Sequence, residues 1–221
     1  MNILIYGAGA IGQYIAVRLA ALNNSVAVIA REKFVDKINK RGIKLSNDKN
    51  DQKISSTNIK AFKDLKELSE KRFDYIFITV KAYDLISAVK DIKRELSDPK
   101  IVILQNGAGN EENATLFLKT ENIFSAALTT SVRFDDNKDL ISSGKGGLGI
   151  ASLTDKEPAE LYDLMSKSGI VTSIYSSYKD LKWSKLVLNI IVNASSAILN
   201  MTASELFNDD RIFEIEIKAI K

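Results

Sequence analysis

A glycine-rich loop near the start of the chain is the first feature whose residues could do chemistry. It reads G-x-G-x-x-G, follows a short apolar run at residues 3–6 and precedes a run with helical spacing. Such glycines permit a tight turn, a close backbone approach to a pyrophosphate and close packing of helix on strand. The N–H groups and dipole at the start of the helix also favour phosphate. The residues that we expect to bind a dinucleotide there are Gly7, Gly9, Ala10, Ile11 and Gly12.

Arg31 indicates which dinucleotide the loop would prefer. It directly follows the apolar run at residues 26–30, where NAD sites usually carry a carboxylate that holds the ribose 2′-hydroxyl. A guanidinium pairs instead with a 2′-phosphate, so the sequence predicts NADP(H) as the cofactor. Lys33 could assist this contact, whereas Glu32 would repel the phosphate unless its side chain points away.

A line of polar residues on a late helical stretch is the candidate for the reaction itself. Lys185, Asn189 and Asn193 are spaced at i, i+4 and i+8, and most residues between them are large and apolar. We therefore expect a buried helix whose polar line faces a cavity or a partner. A lysine whose pKa is lowered by burial can protonate a carbonyl oxygen that receives a hydride, which suits a ketone reductase with Lys185 as catalytic acid. In the alternative interpretation, the asparagines satisfy backbone groups between domains and Lys185 reaches solvent.

Two further residues stand where predicted strands end, which is where parallel sheets bind ligands. Lys81 follows the apolar run at residues 75–80, and Asn106 follows the run at residues 101–104. Taken alone, each position also fits an ordinary loop residue.

Composition narrows the chemistry further. The 221 residues include no cysteine and no histidine, which excludes disulfides, thiolate metal ligands and the commonest general acid–base, and we expect no metal site. The net charge of +3, from 31 basic and 28 acidic residues, lacks the concentrated basic stripe of a nucleic-acid-binding protein. No apolar stretch is long enough to span a membrane, and the N-terminus does not resemble a signal peptide. We therefore expect a cytoplasmic protein that binds neither nucleic acid nor membrane.

The chain has the pattern of a sheet that would bring these residues together. Apolar runs of strand length alternate with helical spacing through the first two-thirds, which predicts an α/β fold with a doubly wound Rossmann sheet. Residues 123–132, 140–143 and 148–153 are predicted strands separated by glycine-rich turns, and we interpret them as an antiparallel extension of that sheet. From Tyr178 to about Leu206 the pattern is helical without a clear break.

This pattern also predicts how the chain divides into domains. We expect residues 1–175 to form an NADP-binding Rossmann domain. Residues 176–221 would then begin an all-α second domain that contributes to the substrate site. The apolar helix at residues 186–199 would permit a homodimer contact as well as a domain core.

Four motifs together resemble the ketopantoate reductase (2-dehydropantoate 2-reductase) family, in order along nearly the whole chain. The motifs are residues 7–12 (G-A-G-A-I-G), 80–83 (V-K-A-Y), 105–107 (Q-N-G) and 183–193 (W-x-K-L-x-x-x-N-x-x-x-N). The first is common to Rossmann proteins, and the last is specific to this family. The resemblance implies reduction of ketopantoate, a 2-oxo acid, to pantoate with NADPH, which is a step toward pantothenate and coenzyme A.

The resemblance also assigns roles to single residues. By similarity, the general acid is Lys185, the substrate-binding residues are Asn106, Asn189 and Asn193, and the cofactor-binding residues outside the glycine loop are Arg31, Lys81 and Asn106. Family members continue through a larger helical domain that supplies a serine and a glutamate to the substrate site. Because residues 212–221 end in a helix-like stretch without a capping signal, we expect this C-terminal domain to be truncated here.

Two other functions fit the same motifs. One is a reductase of this family that acts on a different 2-oxo or 2-hydroxy acid, since Arg31 argues against NAD but does not identify the acid. The other is a non-catalytic NADP-binding sensor. A sensor would keep the glycine loop but would have no need for the line formed by Lys185, Asn189 and Asn193.

Overall fold

A computed structural model describes residues 1–47, 53–56, 58–97, 99–144 and 146–220. The strands in this part of the chain are β1 (Asn2–Tyr6), β2 (Ser25–Ile29), β3 (Ile43–Asn47), β4 (Lys53–Ser56), β5 (Ile59–Phe62), β6 (Tyr75–Ile78), β7 (Lys100–Ile103), β8 (Ile123–Leu128), β9 (Ser131–Phe134), β10 (Leu140–Ser143), β11 (Leu148–Ser152) and β12 (Thr172–Ile174). The α-helices are α1 (Ala10–Ala20), α2 (Glu32–Arg41), α3 (Leu85–Glu95), α4 (Asn110–Thr115), α5 (Ala159–Lys167), α6 (Tyr178–Leu199), α7 (Ala203–Phe207) and α8 (Asp210–Ile220).

The larger of two sheets has the strand order β5-β2-β1-β6-β7-β8-β11-β12. The six strands from β5 to β8 are parallel, β11 is antiparallel to β8, and β12 is parallel to β11. The chain places β2 and β5 on one side of β1 and then β6, β7 and β8 on the other. The sheet is therefore doubly wound, with its switch point between β1 and β6. This confirms the predicted α/β class, the Rossmann core and an antiparallel extension.

Burial on both faces explains why the central strands read as continuous apolar runs. Residues 76–78 of β6 and 101–103 of β7 are fully buried. One core cluster joins the sheet to α1, α2 and α5, through Tyr14, Val35 and Leu161 among others. The other cluster joins the opposite face to α3 and α4. Because helices cover both faces of the sheet, a ligand can reach it only at its edges. The candidate functional side chains lie on loops at the edge formed by the carboxyl ends of the strands.

The predicted extension is wrong in one respect, because residues 123–132 are not a single strand. The chain bends after β8, and the following strand β9 joins a second sheet of order β4-β3-β10-β9 that packs on α1. The bend is held by Thr129, whose backbone N–H donates to Gly147 O at 2.8 Å and whose hydroxyl accepts from Gly147 N at 2.8 Å. The glycines in the 144–149 cluster allow this crossing, since a Cβ on Gly146 would lie 2.3 Å from Thr130 N. Strand β10 consequently extends the second sheet and not the first.

The helical stretch after Tyr178 is confirmed, but it is interrupted and only partly buried. Helix α6 ends at Leu199, because Asn200 adopts a left-handed conformation with φ of 52°. The prediction of a buried helix is wrong for most of α6, since Leu188 is 54% and Ile198 is 80% exposed. The helix contacts β8, β11, α7 and α8 along one side only, so an apolar composition all round does not bury it in the described part of the chain.

The last predicted helical stretch, residues 212–221, corresponds to α8, and its final residue, Lys221, lies outside the described residues. Among the helices of the described residues, none combines the length and the hydropathy required to cross a membrane.

Candidate functional site

The glycine loop turns sharply between β1 and α1, and Gly7 makes the turn. Its φ is +119°, a conformation that disfavours any side chain, and its N–H donates to Ile29 O at 3.0 Å. A Cβ at this position would lie 2.9 Å from Val80 N. The loop is therefore wedged between the ends of β2 and β6, and only glycine fits there.

Gly12 brings α1 against the loop. A Cβ on Gly12 would lie 2.0 Å from Gly7 O and 2.5 Å from Thr79 Oγ1. The same Thr79 hydroxyl donates to Gly7 O at 2.7 Å, so the residue after β6 ties the two glycines together. The Gln13 side chain donates from Nε2 to Ala8 O at 2.9 Å and holds the loop from its other side. Neither supporting residue was identified from the sequence.

Gly9 leaves the space above the helix open. A Cβ built on Gly9 meets no atom within 4 Å, and the residue precedes Ala10 and Ile11 at the start of α1 with no side chain capping the helix N-terminus. The first N–H groups of α1 are thus available to an anion. A groove of about 430 Å³ begins here. It is lined by Tyr6, Gly7, Ala8, Gly9, Ile29, Ala30, Arg31, Glu32, Phe34, Lys63, Thr79, Val80, Lys81, Tyr83 and Asp84.

Arg31 and Lys81, the two cations that we expect to contact the cofactor, both line this groove. Arg31 is exposed and precedes the first residue of α2, and Lys81 is exposed three residues after the end of β6. The groove therefore has open space beside the glycines and, at its sides, two cationic side chains that form no ion pair with a described residue. These features suit a ligand that carries phosphate groups.

Lys63 is a third cation of the groove, and the sequence did not reveal it because β5 was not predicted. It directly follows β5 and is hydrogen-bonded to the carboxylate of Glu32. This hydrogen bond lowers the pKa of Glu32 and raises the pKa of Lys63. Glu32 is therefore already paired with a cation beside Arg31. Lys33, by contrast, lies over the Phe34 ring at 5.3 Å from its centroid and lines a different surface groove.

Asn106 lies on an exposed loop between β7 and α4 whose backbone is tightly specified. The loop contains Gly107 and Gly109, with φ of +90° and +91°. The buried side chain of Asn110 donates from Nδ2 to Asn106 O at 3.1 Å. The backbone of Asn106 is thereby held at the carboxyl end of β7, while its side chain remains accessible.

Lys185 is half-buried on α6, at the carboxyl end of β8. It lines a cavity of about 210 Å³ together with Thr129, Gly147 and Tyr175. Burial lowers the pKa of Lys185, since removal from water disfavours the charged ammonium. Among the described residues no nearby carboxylate opposes this shift. A lysine in this state releases a proton more readily than an exposed one.

Asn189 and Asn193 follow Lys185 along α6 at one-turn intervals, and the first is half-buried while the second is exposed. The structure thus gathers the glycine loop, Arg31 and Lys81 around one groove. Lys185 lines a second, separate cavity at the same edge of the sheet.

A buried ion pair beneath this edge was missed from the sequence. Lys182, only 3% exposed, forms a salt bridge of 3.1 Å with Glu111, and its Nζ also donates to the carbonyls of Gln105 and Ala126. The only available signal was a lysine three residues before Lys185. From the sequence alone, a helical lysine is expected to be exposed to solvent, and nothing in its neighbours Trp183 and Ser184 indicates otherwise.

Comparison with known proteins identifies the family. A sequence model of a protein family, described as ketopantoate reductase PanE/ApbA, matches residues 3–154, which include the glycine loop, Arg31, Lys81 and Asn106. The chain belongs to the PanE/ApbA ketopantoate reductase family. It is also 27% identical over 226 aligned residues to the 2-dehydropantoate 2-reductase of Pyrococcus horikoshii, an alignment that covers 100% of the chain and 71% of that relative.

Solved structures share the fold. A 2-dehydropantoate 2-reductase from Geobacter metallireducens superposes with a TM-score of 0.85 at 24% identity, over 98% of this chain and 71% of that one. A ternary complex of D-mandelate dehydrogenase with NADH and anilino(oxo)acetate superposes with a TM-score of 0.84, also at 24% identity, over 98% and 70%.

Membership of this family makes the protein an oxidoreductase that uses a nicotinamide dinucleotide and acts on a small molecule. The resemblance stated from the motifs is confirmed. The family model ends at residue 154, however, so it does not include the line formed by Lys185, Asn189 and Asn193.

Proposed function

We propose that the protein reduces a 2-oxo acid with NADPH, and that the acid is ketopantoate, which becomes pantoate on the route to pantothenate and coenzyme A. The observation that carries the proposal is Lys185, a half-buried lysine of lowered pKa at the edge of the sheet where the glycine-loop groove opens. The names of the curated relatives support the choice of ketopantoate.

The cofactor would occupy the groove that begins at the glycine loop. Gly7, Gly9, Ala10, Ile11 and Gly12 would leave room for the pyrophosphate against the start of α1. Arg31 would pair with the 2′-phosphate, with Lys63 as a second cation, and Lys81 would contact the cofactor further along the groove. The chemistry that a bound reduced nicotinamide supplies is hydride transfer to a carbonyl carbon.

Side chains of this protein would stabilise the charge that hydride transfer leaves on the substrate and would supply the proton that neutralises it. The Lys185 ammonium would stabilise the negative charge that develops on the substrate oxygen and then donate a proton to it. Asn106 would bind both the substrate and the nicotinamide end of the cofactor. Asn189 and Asn193 would bind the polar groups of the acid from α6. Residues 176–221 would form the wall of the substrate site that faces away from the sheet. They would be the start of a substrate domain distinct from residues 1–175.

Two further parts of the proposal concern the setting of the enzyme. We infer a cytoplasmic location, in keeping with reduction of a small polar acid, and fluorescence microscopy of the tagged protein would test it. We also infer a homodimer, which the exposed apolar side chains of α6, such as Leu188 and Ile198, support. Sedimentation of the purified full-length protein as a monomer would contradict the dimer.

The deciding experiment is an assay of NADPH oxidation with ketopantoate by the full-length protein and by Lys185→Ala. We expect turnover in the wild type and a loss of about 100- to 10,000-fold in kcat in the variant, the contribution of a general acid. NADPH affinity should change little, because Lys185 lies outside the glycine-loop groove. NADPH binding without oxidation by ketopantoate would contradict the substrate assignment.

A different 2-oxo acid is the second candidate substrate. The similarity to D-mandelate dehydrogenase, solved with anilino(oxo)acetate, favours including aromatic 2-oxo acids in the same assay. Faster turnover of such an acid than of ketopantoate would select this alternative. Failure of every acid tested, with tight NADPH binding, would favour a non-catalytic sensor.

A further inference from the structure

The buried side chain of Lys182 occupies an unusual environment. It lies in the second turn of α6, and its Nζ donates to Gln105 O at 2.7 Å and to Ala126 O at 2.9 Å. The same atom is 3.1 Å from Glu111 Oε1, and Glu111 is itself fully buried. These three acceptors match the three N–H donors of the ammonium, and the carbonyl of Ile103 lies further off at 3.4 Å.

This cluster is a poor way to gain stability alone. Removing a lysine and a glutamate from water costs free energy that their mutual attraction often does not return. A well-packed apolar pair would therefore stabilise the fold at least as well as this ion pair. Burial accordingly lowers the pKa of Lys182, and the nearby Glu111 carboxylate opposes that shift only in part. The side chains around the ammonium are also not fully hydrogen-bonded, since Glu111 Oε2 and both polar atoms of the Gln105 side chain have no partner within the described residues. A role in positioning accounts better for such a cluster.

The acceptors show what the ammonium positions. Gln105 immediately precedes Asn106, and Glu111 follows Asn110, whose side chain fixes the backbone of Asn106. Glu111 Oε1 also accepts a 2.7 Å hydrogen bond from Ser125 Oγ in β8. Lys182 therefore contacts both ends of the loop that carries Asn106. On its own helix it lies three residues, or nearly one turn, before Lys185.

We propose that Lys182 is a positioning residue for the reduction, which ties helix α6 to the Asn106 loop and thereby sets the distance between Lys185 and Asn106. It does not contact the reacting atoms. The inference rests on the proposed function, because it takes Lys185 and Asn106 as the residues that meet the substrate. Its physical basis is that one buried ammonium links a helix to a loop that are 77 residues apart in sequence.

The test compares two variants of the full-length protein with the wild type. Lys182→Met keeps the unbranched shape and all but the last atom of the side chain but leaves Glu111 buried without a cation. We therefore expect lower thermal stability and a loss in kcat of about 100-fold, the cost of a shift near 1 Å in a reacting group. The double variant Lys182→Met/Glu111→Gln removes both charges, and the amide oxygen that it introduces can still accept from Ser125. We expect it to regain most of the thermal stability but not the turnover.

The double variant separates positioning from stability. A merely structural role predicts that turnover returns together with the thermal midpoint, so recovery of kcat to within about threefold of wild type would overturn the proposal. NADPH affinity, measured by fluorescence titration, should fall far less than kcat in both variants, because the glycine-loop groove that would hold most of the cofactor lies outside the cluster and only the contact from Asn106 would be disturbed. A large loss of NADPH affinity with an unchanged kcat would also overturn it.

A second measurement keeps the inference testable if the wild type reduces no oxo acid or if the double variant does not fold. Amide hydrogen exchange at residues 106–110 and 185–189 would be compared between the wild type and Lys182→Arg, which retains the charge but not the geometry of three converging hydrogen bonds. Faster exchange in both segments would support the link. Unchanged exchange in either would overturn it. Absence of wild-type turnover would by itself count against the proposed function and not against the link.

Discussion

The carboxylate of Glu32 is hydrogen-bonded to the ammonium of Lys63 at the side of the glycine-loop groove, beside Arg31. Both side chains are largely exposed, at 74% and 50%, so this ion pair contributes little to folding. Its effect is on the electrostatic potential of the groove. Lys63 offsets the negative charge that would otherwise repel a 2′-phosphate next to Arg31.

Replacing Lys63 with methionine should therefore weaken NADPH binding more than NADH binding. The variant loses one cation and leaves Glu32 unpaired, and we expect about a tenfold rise in the Kd for NADPH. Fluorescence titration with each cofactor measures the effect. The double variant Glu32→Gln/Lys63→Met should restore part of the affinity, and equal weakening for NADPH and NADH would contradict the role given to Lys63.

Arg31→Ala should reduce the preference for NADPH over NADH. Loss of a charge-assisted pair worth about 1.5–3 kcal/mol corresponds to about a 10- to 100-fold change in Kd. Lys33→Ala is the matched control, because Lys33 is also a cation at the start of α2 but lies over Phe34 and outside the groove. If both variants change NADPH affinity alike, a general basic surface and not Arg31 recognises the phosphate.

Two alanine substitutions in the glycine loop should differ in their effect on stability. Gly12→Ala places a Cβ 2.0 Å from Gly7 O, a backbone atom, and should lower the free energy of unfolding by about 1–3 kcal/mol or more. Gly9→Ala meets no protein atom within 4 Å and has a φ of −68°, so its stability should stay within about 0.5 kcal/mol of wild type. Urea unfolding measures both.

The same Gly9→Ala variant should lose affinity for the cofactor, because its methyl group enters the space where the pyrophosphate would approach. We expect a Kd for NADPH raised by about tenfold. Full affinity in Gly9→Ala would show that the phosphates bind elsewhere in the groove.

The pH dependence of turnover should report on Lys185. In the proposed reaction its protonated form is the proton donor, and burial places its pKa below the ordinary lysine value. Activity should thus be present at pH values below that lowered pKa and decline as the pH rises through it, at a lower pH than for an exposed lysine. A profile of kcat against pH under saturating NADPH tests this. A decline only in the range of an exposed lysine would contradict the influence of burial on this residue.

Much of the nucleotide-binding half followed from the sequence because its signals are local. The glycine loop, the residue after β2 and the alternation of strands and helices each lie within a window of a few tens of residues. A parallel sheet that is buried on both faces requires strands that are continuous apolar runs. Such runs can be recognised in the sequence without knowing which residues contact each other.

The features that could not be predicted depend on pairs distant in sequence. Strand β9 leaves the main sheet because Gly146 and Gly147 pack on residues 129–130. Lys63 reaches the groove because β5 pairs with β2 at the edge of the sheet. Lys182 is buried because Gln105, Glu111 and Ala126 converge on it.

The sequence by itself determined the doubly wound fold, the glycine loop and the line of Lys185, Asn189 and Asn193 on one helix. Only the tertiary structure decided which lysine is buried in an ion pair, which is half-buried in a cavity and which stands beside Arg31. The physical reason is that periodicity and turn chemistry act between near neighbours. The surroundings of a charge, and therefore its pKa, depend on whichever distant groups the fold places within a few ångströms of it.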